Sequence, residues 1–217
     1  MDIIKKLAQE LAIKEEQAKA AVQLIDEGNT IPFIARYRKE MTGALNDETL
    51  RNLHERLLYL RNLEEKKEQV INAITDQGKM TEDLKKKILS AETLVAVDDL
   101  YRPYRPKKQT RATKAKEKGL EPLANILLLQ KTTKSMEEEA AAFVNAEKGV
   151  ANAKEAIAGA KDIIAEMIAD MADYRKSIRN CTMKQGSLVV KAKDEKAESV
   201  YEMYYDFREP LSKVTGY

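Results

Sequence analysis

Cysteine, histidine, tryptophan and glycine are all scarce in this chain. Its 217 residues include one cysteine, one histidine, no tryptophan and eight glycines. The lone Cys181 excludes an internal disulfide and is typical of a protein from a reducing compartment. The lone His54 excludes a histidine-rich metal site and a catalytic triad that needs a second histidine.

The sequence also lacks the motifs that carry common enzyme chemistry. Neither a GxxxxGK phosphate loop nor a GxGxxG turn is present. The neighbouring Asp98 and Asp99 diverge by about 100° on a helix, so they form no converging carboxylate pair. We read His54 as a packing or surface residue and Cys181 as a small buried side chain. We therefore predict no catalytic residue, no metal ligand and no cofactor.

Long hydrophobic runs are missing as well. No apolar stretch approaches the roughly 20 residues of a membrane span, and the start MDIIKKLAQELAIK lacks the apolar region of a signal peptide. We therefore expect a cytoplasmic protein with no membrane partner. A net charge of +2 argues against a chain that is basic throughout, so any contact with nucleic acid must come from local patches.

The composition that remains is that of a helical protein. Alanine, glutamate, lysine and leucine are abundant, whereas only five prolines interrupt the chain. We predict an all-α fold, a multi-helix bundle with a helix-turn-helix-like N-terminal unit and long spine helices. Four segments are expected: a helix-turn-helix-like unit at 1–45, a spine helix with packing helices at 46–100, a basic strap with short helices at 101–145, and a long heptad helix that leads into a linker at 146–217.

The first segment ends in a short cationic helix. Gly28 is placed to end the second helix, and Thr30 to cap a third that reads IPFIARYRK. Its apolar side chains are expected to pack inward while Arg36, Arg38 and Lys39 point outward. Such a unit either contacts nucleic acid or only packs, and both interpretations stay open.

Two longer helices are predicted further on. One begins at Asn46 or Asp47, carries leucines at helical spacing and ends near Gly78. The other follows a heptad seam from Ile157 to Cys181 without a break and ends at Gly186. After it, SLVVKAK is the one strand-like run, and the residues from Asp194 to Phe207 are expected to return to helix.

The basic strap lies between those helices, in VDDLYRPYRPKKQTRATKAKEKGLEPLA, residues 97–124. Its two prolines oppose helix formation, so the first basic side chains are expected on an extended connector. Cations interleaved with tyrosines suit phosphate contact and base stacking, although a tyrosine that packs its ring is an equal alternative. The candidate contact residues are Tyr101, Arg102, Tyr104, Arg105, Lys107, Lys108, Arg111 and Lys114.

Four separated stretches carry a family resemblance. GNTIPFIARYRKEMTGALND, DLYRPYRPKKQTRATKAKEKGLEPLA, AIAGAKDIIAE and YYDFREPLSKVTG occur in this order. Together they resemble the N-terminal region of the Tex family of bacterial RNA-binding transcription accessory proteins. The resemblance implies a wholly helical region whose long helices interlock with later helices. It also implies further domains that are not among these residues: a YqgF-type ribonuclease-H-like domain, helix-hairpin-helix motifs and an OB-fold RNA-binding domain.

Three functions follow as hypotheses. The chain is a nucleic-acid-contacting module that binds RNA or DNA weakly by itself and meets the transcription machinery, or a scaffold that packs on the later domains of the family, or a fragment of an enzyme. A steep loss of affinity with salt distinguishes the first from the second. The structure of the strap distinguishes them too. Basic side chains that line one open face favour contact with nucleic acid, whereas basic side chains that pair with acids such as Asp98, Asp99 and Glu117 favour the scaffold.

Overall fold

The computed structural model describes residues 2–194 and 196–214 of the chain. These residues divide into two compact units, one that runs to Tyr101 and one that begins at Arg102. Helices dominate both units, which confirms the prediction of an all-α bundle. A two-stranded antiparallel hairpin is the one sheet in the described ranges.

The first unit consists of six helices. Their bounds are α1 Ile3–Glu10, α2 Glu15–Asp26, α3 Ile31–Tyr37, α4 Asp47–Asp76, α5 Glu82–Ser90 and α6 Leu94–Tyr101.

The spine helix α4 organises this unit. Asn46 caps it as predicted, because its side-chain oxygen accepts a hydrogen bond from the Thr49 amide at 2.7 Å. The helix is 30 residues long, and its apolar seam is buried against the neighbouring helices. Its buried apolar residues are Leu50, Leu53, Leu57, Leu60, Leu63, Val70 and Ile74.

A buried lysine continues the same seam. Lys67 is almost fully enclosed, and its ammonium donates to Glu64 Oε1 at 2.8 Å and to the Leu89 carbonyl at 2.9 Å. The carbonyl belongs to the last turn of α5, which has no partner for it within the helix. Lys67 therefore ties the end of α5 to the spine.

The second unit contains five helices and the hairpin. After a 3₁₀ turn at Arg102–Tyr104 come α7 Arg111–Glu117, α8 Glu121–Leu129, α9 Met136–Ala141, α10 Ala153–Asp170, α11 Ala172–Gln185, β1 Ser187–Lys191 and β2 Asp206–Pro210. Short 3₁₀ turns at Glu202–Tyr204 and Leu211–Lys213 flank β2.

Small residues fill much of the core of this unit. Six of its eleven clustered buried residues are alanine. Gly159 lies where α7 and α8 approach α10, and a Cβ placed on it would lie 2.4 Å from Leu120 Cδ1 and 3.3 Å from Ala115 Cβ. The small side chains thus permit a close approach of α7 to α10.

The heptad helix is not continuous as predicted. Met171 adopts an extended ψ of 118° and separates α10 from α11. The Arg175 guanidinium donates to the Ala169 carbonyl at 3.4 Å, which satisfies one of the free acceptors at the end of α10. Ile157 and Ala160 are buried in the first part of the seam, whereas no residue of α11 is buried.

The helix predicted over 194–207 is also wrong. SLVVK forms β1 as expected, and its partner is DFREP, with Ser187 opposite Pro210 and Lys191 opposite Asp206. Lys191 and Asp206 carry opposite charges at the end of the ladder where the connecting segment joins the strands, and facing opposite charges favour this register. The strand pairing therefore overrides the helical spacing of the apolar residues that precede Phe207.

Candidate nucleic-acid interface

The basic strap lies against an acidic face of α10. Arg102 Nε lies 3.0 Å from Asp170 Oδ1, and Lys107 Nζ contacts the other carboxylate oxygen of Asp170. Lys107 also lies 3.5 Å from Glu166 Oε1. Both cations are therefore neutralised within the second unit.

A third contact extends this acidic face by one turn. Arg111 Nε lies 3.7 Å from Asp162 Oδ1, although the arginine side chain is 88% exposed. Asp162, Glu166 and Asp170 are four residues apart, so they occupy one face of α10 at intervals of about 6 Å. We call these three carboxylates the acidic ladder.

The acidic ladder gives the strap a structural role. Asp170 is buried and ends α10, where a carboxylate meets the negative end of the helix dipole. Two cations from the strap compensate that charge. Of the acids named from the sequence, Asp98 has one carboxylate oxygen 3.7 Å from Lys66 Nζ in the first unit.

The remaining strap residues divide into two groups. Tyr101 and Tyr104 are half-buried, and together with Arg105 they already have interaction partners. Lys108 and Lys114 are exposed, and neither forms an ion pair within residues 2–194 and 196–214. These two lysines are therefore available to an outside anion without breaking an ion pair.

The end of α3 presents a second set of cations. Arg36, Arg38 and Lys39 are exposed as predicted, and none has a carboxylate at ion-pair distance in the described part of the chain. The guanidinium of Arg38 lies 5.2 Å from the centre of the Phe33 ring. This distance is typical of a cation–π contact, so Arg38 is held in place without losing its charge.

A tyrosine that sequence reasoning did not select lies among these cations. Tyr37 is 66% exposed, and its ring centre lies 5.3 Å from that of Phe33 at an interplanar angle of 46°. We call Arg36, Tyr37, Arg38 and Lys39 the α3 patch. The sequence signal that identifies this tyrosine is the aromatic residue between cations in RYRK.

His54 and Cys181 belong to neither the strap nor the α3 patch. His54 is half-buried on α4, and Cys181 is exposed on α11, which contradicts its predicted place in a buried seam. Among the described residues no group of three histidine, cysteine or acidic side chains has the geometry of a metal site. In the same ranges, no helix combines the length and the hydrophobicity needed to cross a membrane.

Two family models match the chain. Residues 1–75 match the Tex-like protein N-terminal domain, and residues 131–216 match the Tex central region. The chain belongs to the Tex family. The strap, residues 97–124, thus lies in the segment between the two matched regions, the acidic ladder lies inside the second, and the α3 patch lies inside the first.

Named relatives agree with this assignment. The transcriptional accessory protein Tex of Neisseria gonorrhoeae is 42% identical over 220 residues, which is 100% of this chain and 28% of the relative. Protein tex of Bordetella pertussis is 44% identical over 99% of this chain and 27% of its own length. The human S1 RNA-binding domain-containing protein 1 is 32% identical over 85% of this chain and 18% of its own length. The chain thus spans little more than a quarter of the bacterial Tex relatives, and it corresponds to their N-terminal region.

Proposed function

We propose that this N-terminal Tex region is a non-catalytic helical module of a transcription accessory protein that contacts the phosphates of RNA or DNA through the α3 patch. The observation that carries this proposal is the contrast between two sets of cations. Arg102, Lys107 and Arg111 face the acidic ladder, whereas the three cations of the α3 patch face solvent without an acid partner in the described residues. A cation that neutralises a phosphate releases the counterions condensed on it, and a cation already paired with a carboxylate must first give up that pair.

The names of the relatives support the same direction. Two are transcriptional accessory or Tex proteins, and a third carries an S1 RNA-binding domain in its name. Lys108 and Lys114 supply auxiliary phosphate contacts in this proposal, since they are the unpaired members of the strap. The paired members brace the second unit.

Binding measured against salt tests the proposal. We expect the 217-residue chain to bind a labelled single strand more weakly as salt rises, in an anisotropy titration between about 50 and 200 mM salt. Replacing Arg36, Arg38 and Lys39 by alanine is expected to reduce the slope of log K against log salt by about 2, at roughly 0.7 for each phosphate that the variant no longer neutralises.

A matched variant controls for the removal of charge. Lys5→Ala, Lys19→Ala and Lys79→Ala also remove three exposed charges from the first unit, so this variant is expected to keep its affinity and slope. Equal losses of affinity in the two variants would show that net charge alone drives binding and would contradict the proposed site.

A second function is favoured by one further observation. An apolar groove of about 660 Å³ separates the end of α10 from the start of α11, and Ile168, Tyr174 and Ile178 line it. Exposed apolar surface of this kind marks an interaction site. In this alternative the region is a scaffold, and the groove receives later helices of the longer Tex chains.

A further inference from the structure

The α3 patch combines a free aromatic face with three cations. Tyr37 and Tyr201 have the same exposed fraction, 66%, but Tyr201 lies between Val200 and Glu202 whereas Tyr37 lies between Arg36 and Arg38. No hydrogen bond engages the Tyr37 hydroxyl within the described residues. By contrast, the hydroxyl of the half-buried Tyr59 accepts a hydrogen bond from the Leu94 amide at 3.2 Å. The Tyr37 hydroxyl therefore lacks the hydrogen bond that is usual for a structural tyrosine.

The packing of the ring leaves one face available. Phe33 supports Tyr37 from the preceding turn of α3, and the Arg38 side chain lies over Phe33. Arg38 Nη1 also donates to the Tyr37 carbonyl at 3.3 Å, so the cation and the aromatic are held in one cluster. A flat, supported ring beside fixed positive charge is the arrangement that holds a stacked base and its phosphates.

The same helix is poorly suited to reading a duplex. Recognition helices contact base edges with polar side chains near their N-terminus. Here α3 begins Ile31, Pro32, Phe33, which supply no side-chain donor or acceptor for a base edge. Ile31 and Phe33 are also half-buried within the unit. The cations of the α3 patch and Tyr37 lie at the other end of the helix.

We infer that Tyr37 is a base-stacking residue and that the α3 patch binds single-stranded nucleic acid in preference to a duplex. This inference rests on the proposed function, because the cations of the patch supply the phosphate contacts. It adds the class of strand and the group that contacts the base. The stacking role is assigned to Tyr37, whereas Tyr101 and Tyr104 of the strap are half-buried and already have interaction partners.

The absence of tryptophan makes the test direct. In a chain with no tryptophan, Tyr37→Trp places a single tryptophan at the proposed contact, and its emission can be excited apart from that of the tyrosines. We expect a ten-residue oligouridine to quench its emission, and an abasic phosphodiester strand of the same length to leave the emission unchanged. In a separate titration, Tyr37→Ala is expected to weaken oligouridine binding about tenfold, and Tyr37→Phe to retain it, since stacking contributes ~1–3 kcal/mol per base.

Tyr201→Ala is the matched control, because it removes an equally exposed ring that has no cation next to it in the sequence. It is expected to leave oligouridine affinity unchanged. If Tyr37→Ala binds oligouridine like the unmodified chain, or if the abasic strand binds as tightly as oligouridine, the stacking role is overturned while phosphate contact by the patch stands. If neither strand binds at low salt, the proposed function fails and the inference fails with it.

Discussion

Two acids of the first unit are each held by one arginine of α4. Arg56 donates to both carboxylate oxygens of Glu10, at 2.6 and 2.9 Å, and Arg61 does the same for Asp26, at 2.7 Å each. The hydrogen bonds from Arg56 hold the pKa of Glu10 below its usual range, and those from Arg61 do the same for the pKa of Asp26. These paired contacts tie α1 and α2 to the spine helix.

Acidification is expected to weaken the contacts that hold α1 and α2 on α4. Since the pKa of each carboxyl is lower in the folded chain than in the unfolded one, the stability contribution is fully present above the unfolded pKa, about 4. It is lost as the pH falls through the lower folded pKa. The double variant Glu10→Gln, Asp26→Asn is therefore expected to be less stable than the unmodified chain at neutral pH, and to lose less stability between about pH 5 and pH 2.

Urea unfolding at several pH values measures this effect. For the more enclosed pair, Glu10–Arg56, we expect a loss of about 1 kcal/mol at neutral pH. Glu68→Gln, at an exposed acid of α4 with no ion pair in the described residues, serves as control and should leave the acid limb unchanged. If the free energy of unfolding falls equally with pH below about 5 in the double variant and in the unmodified chain, the proposed role of these pairs is contradicted.

At the scale of the elements, the packing of α7 on α10 depends on the missing side chain of Gly159. Gly159→Val is expected to destabilise the chain by about 1–3 kcal/mol, because the added side chain clashes with Leu120 and Ala115 and pushes both away from α10 in a close-packed core. Thermal or urea unfolding provides the measurement.

Ala158→Val places the same side chain on the exposed neighbour of Gly159. It introduces the same β-branched side chain into α10 at an exposed position, and because alanine is a better helix former than glycine its propensity cost is the larger of the two. An equal loss of stability in both variants would assign the effect to the helix backbone and not to the packing of α7.

Local signals explain which elements were predictable. The bounds of α4 follow from the Asn46 cap and from leucines at helical spacing, both of which lie within or beside the helix itself. The break at Met171 carries neither glycine nor proline, and the heptad period continues through it, so the pattern alone favours one helix. The feature that accompanies the break is the buried Asp170, whose partners Arg102 and Lys107 lie 68 and 63 residues away in the sequence.

In the candidate site, too, only the local features could be predicted. The cations of the strap and of α3 could be named from the sequence, but their pairing could not. The acidic ladder is distant in sequence from the strap, and nothing near residues 102–111 indicates it. Lys67 shows the same limit in the first unit, because a lysine in an apolar seam has no local signal that its partners will be Glu64 and a carbonyl of α5.

At the scale of the whole molecule, α11 offers a direct test of the scaffold alternative. Ile178 is 65% exposed, and the single cysteine lies three residues further along the same helix. If later Tex helices cover this surface, maleimide labelling of Cys181 is expected to be at least about tenfold slower in a full-length Tex protein than in this 217-residue chain, since thiol reactivity follows access.

A relocated thiol separates coverage from a general change in reactivity. In a Cys181→Ser background, Lys19→Cys places the thiol on an exposed position of α2 in the first unit. Its labelling rate should be the same in both lengths of chain. Equal labelling rates for Cys181 in the 217-residue chain and in the full-length protein would show that later helices do not cover α11, and would remove the support for the scaffold alternative.

The alanine-rich core of the second unit has a practical consequence for mutagenesis. Alanine scanning finds a core by deleting side chains, yet Ala112, Ala115, Ala124, Ala140 and other members of this cluster are already alanine. Such a scan gives no information at these alanines, although the packing of the helices depends on the absence of larger side chains there. A scan that inserts valine or leucine would locate this core, and variants collected for loss of Tex function should show enlarging substitutions there more often than truncating ones.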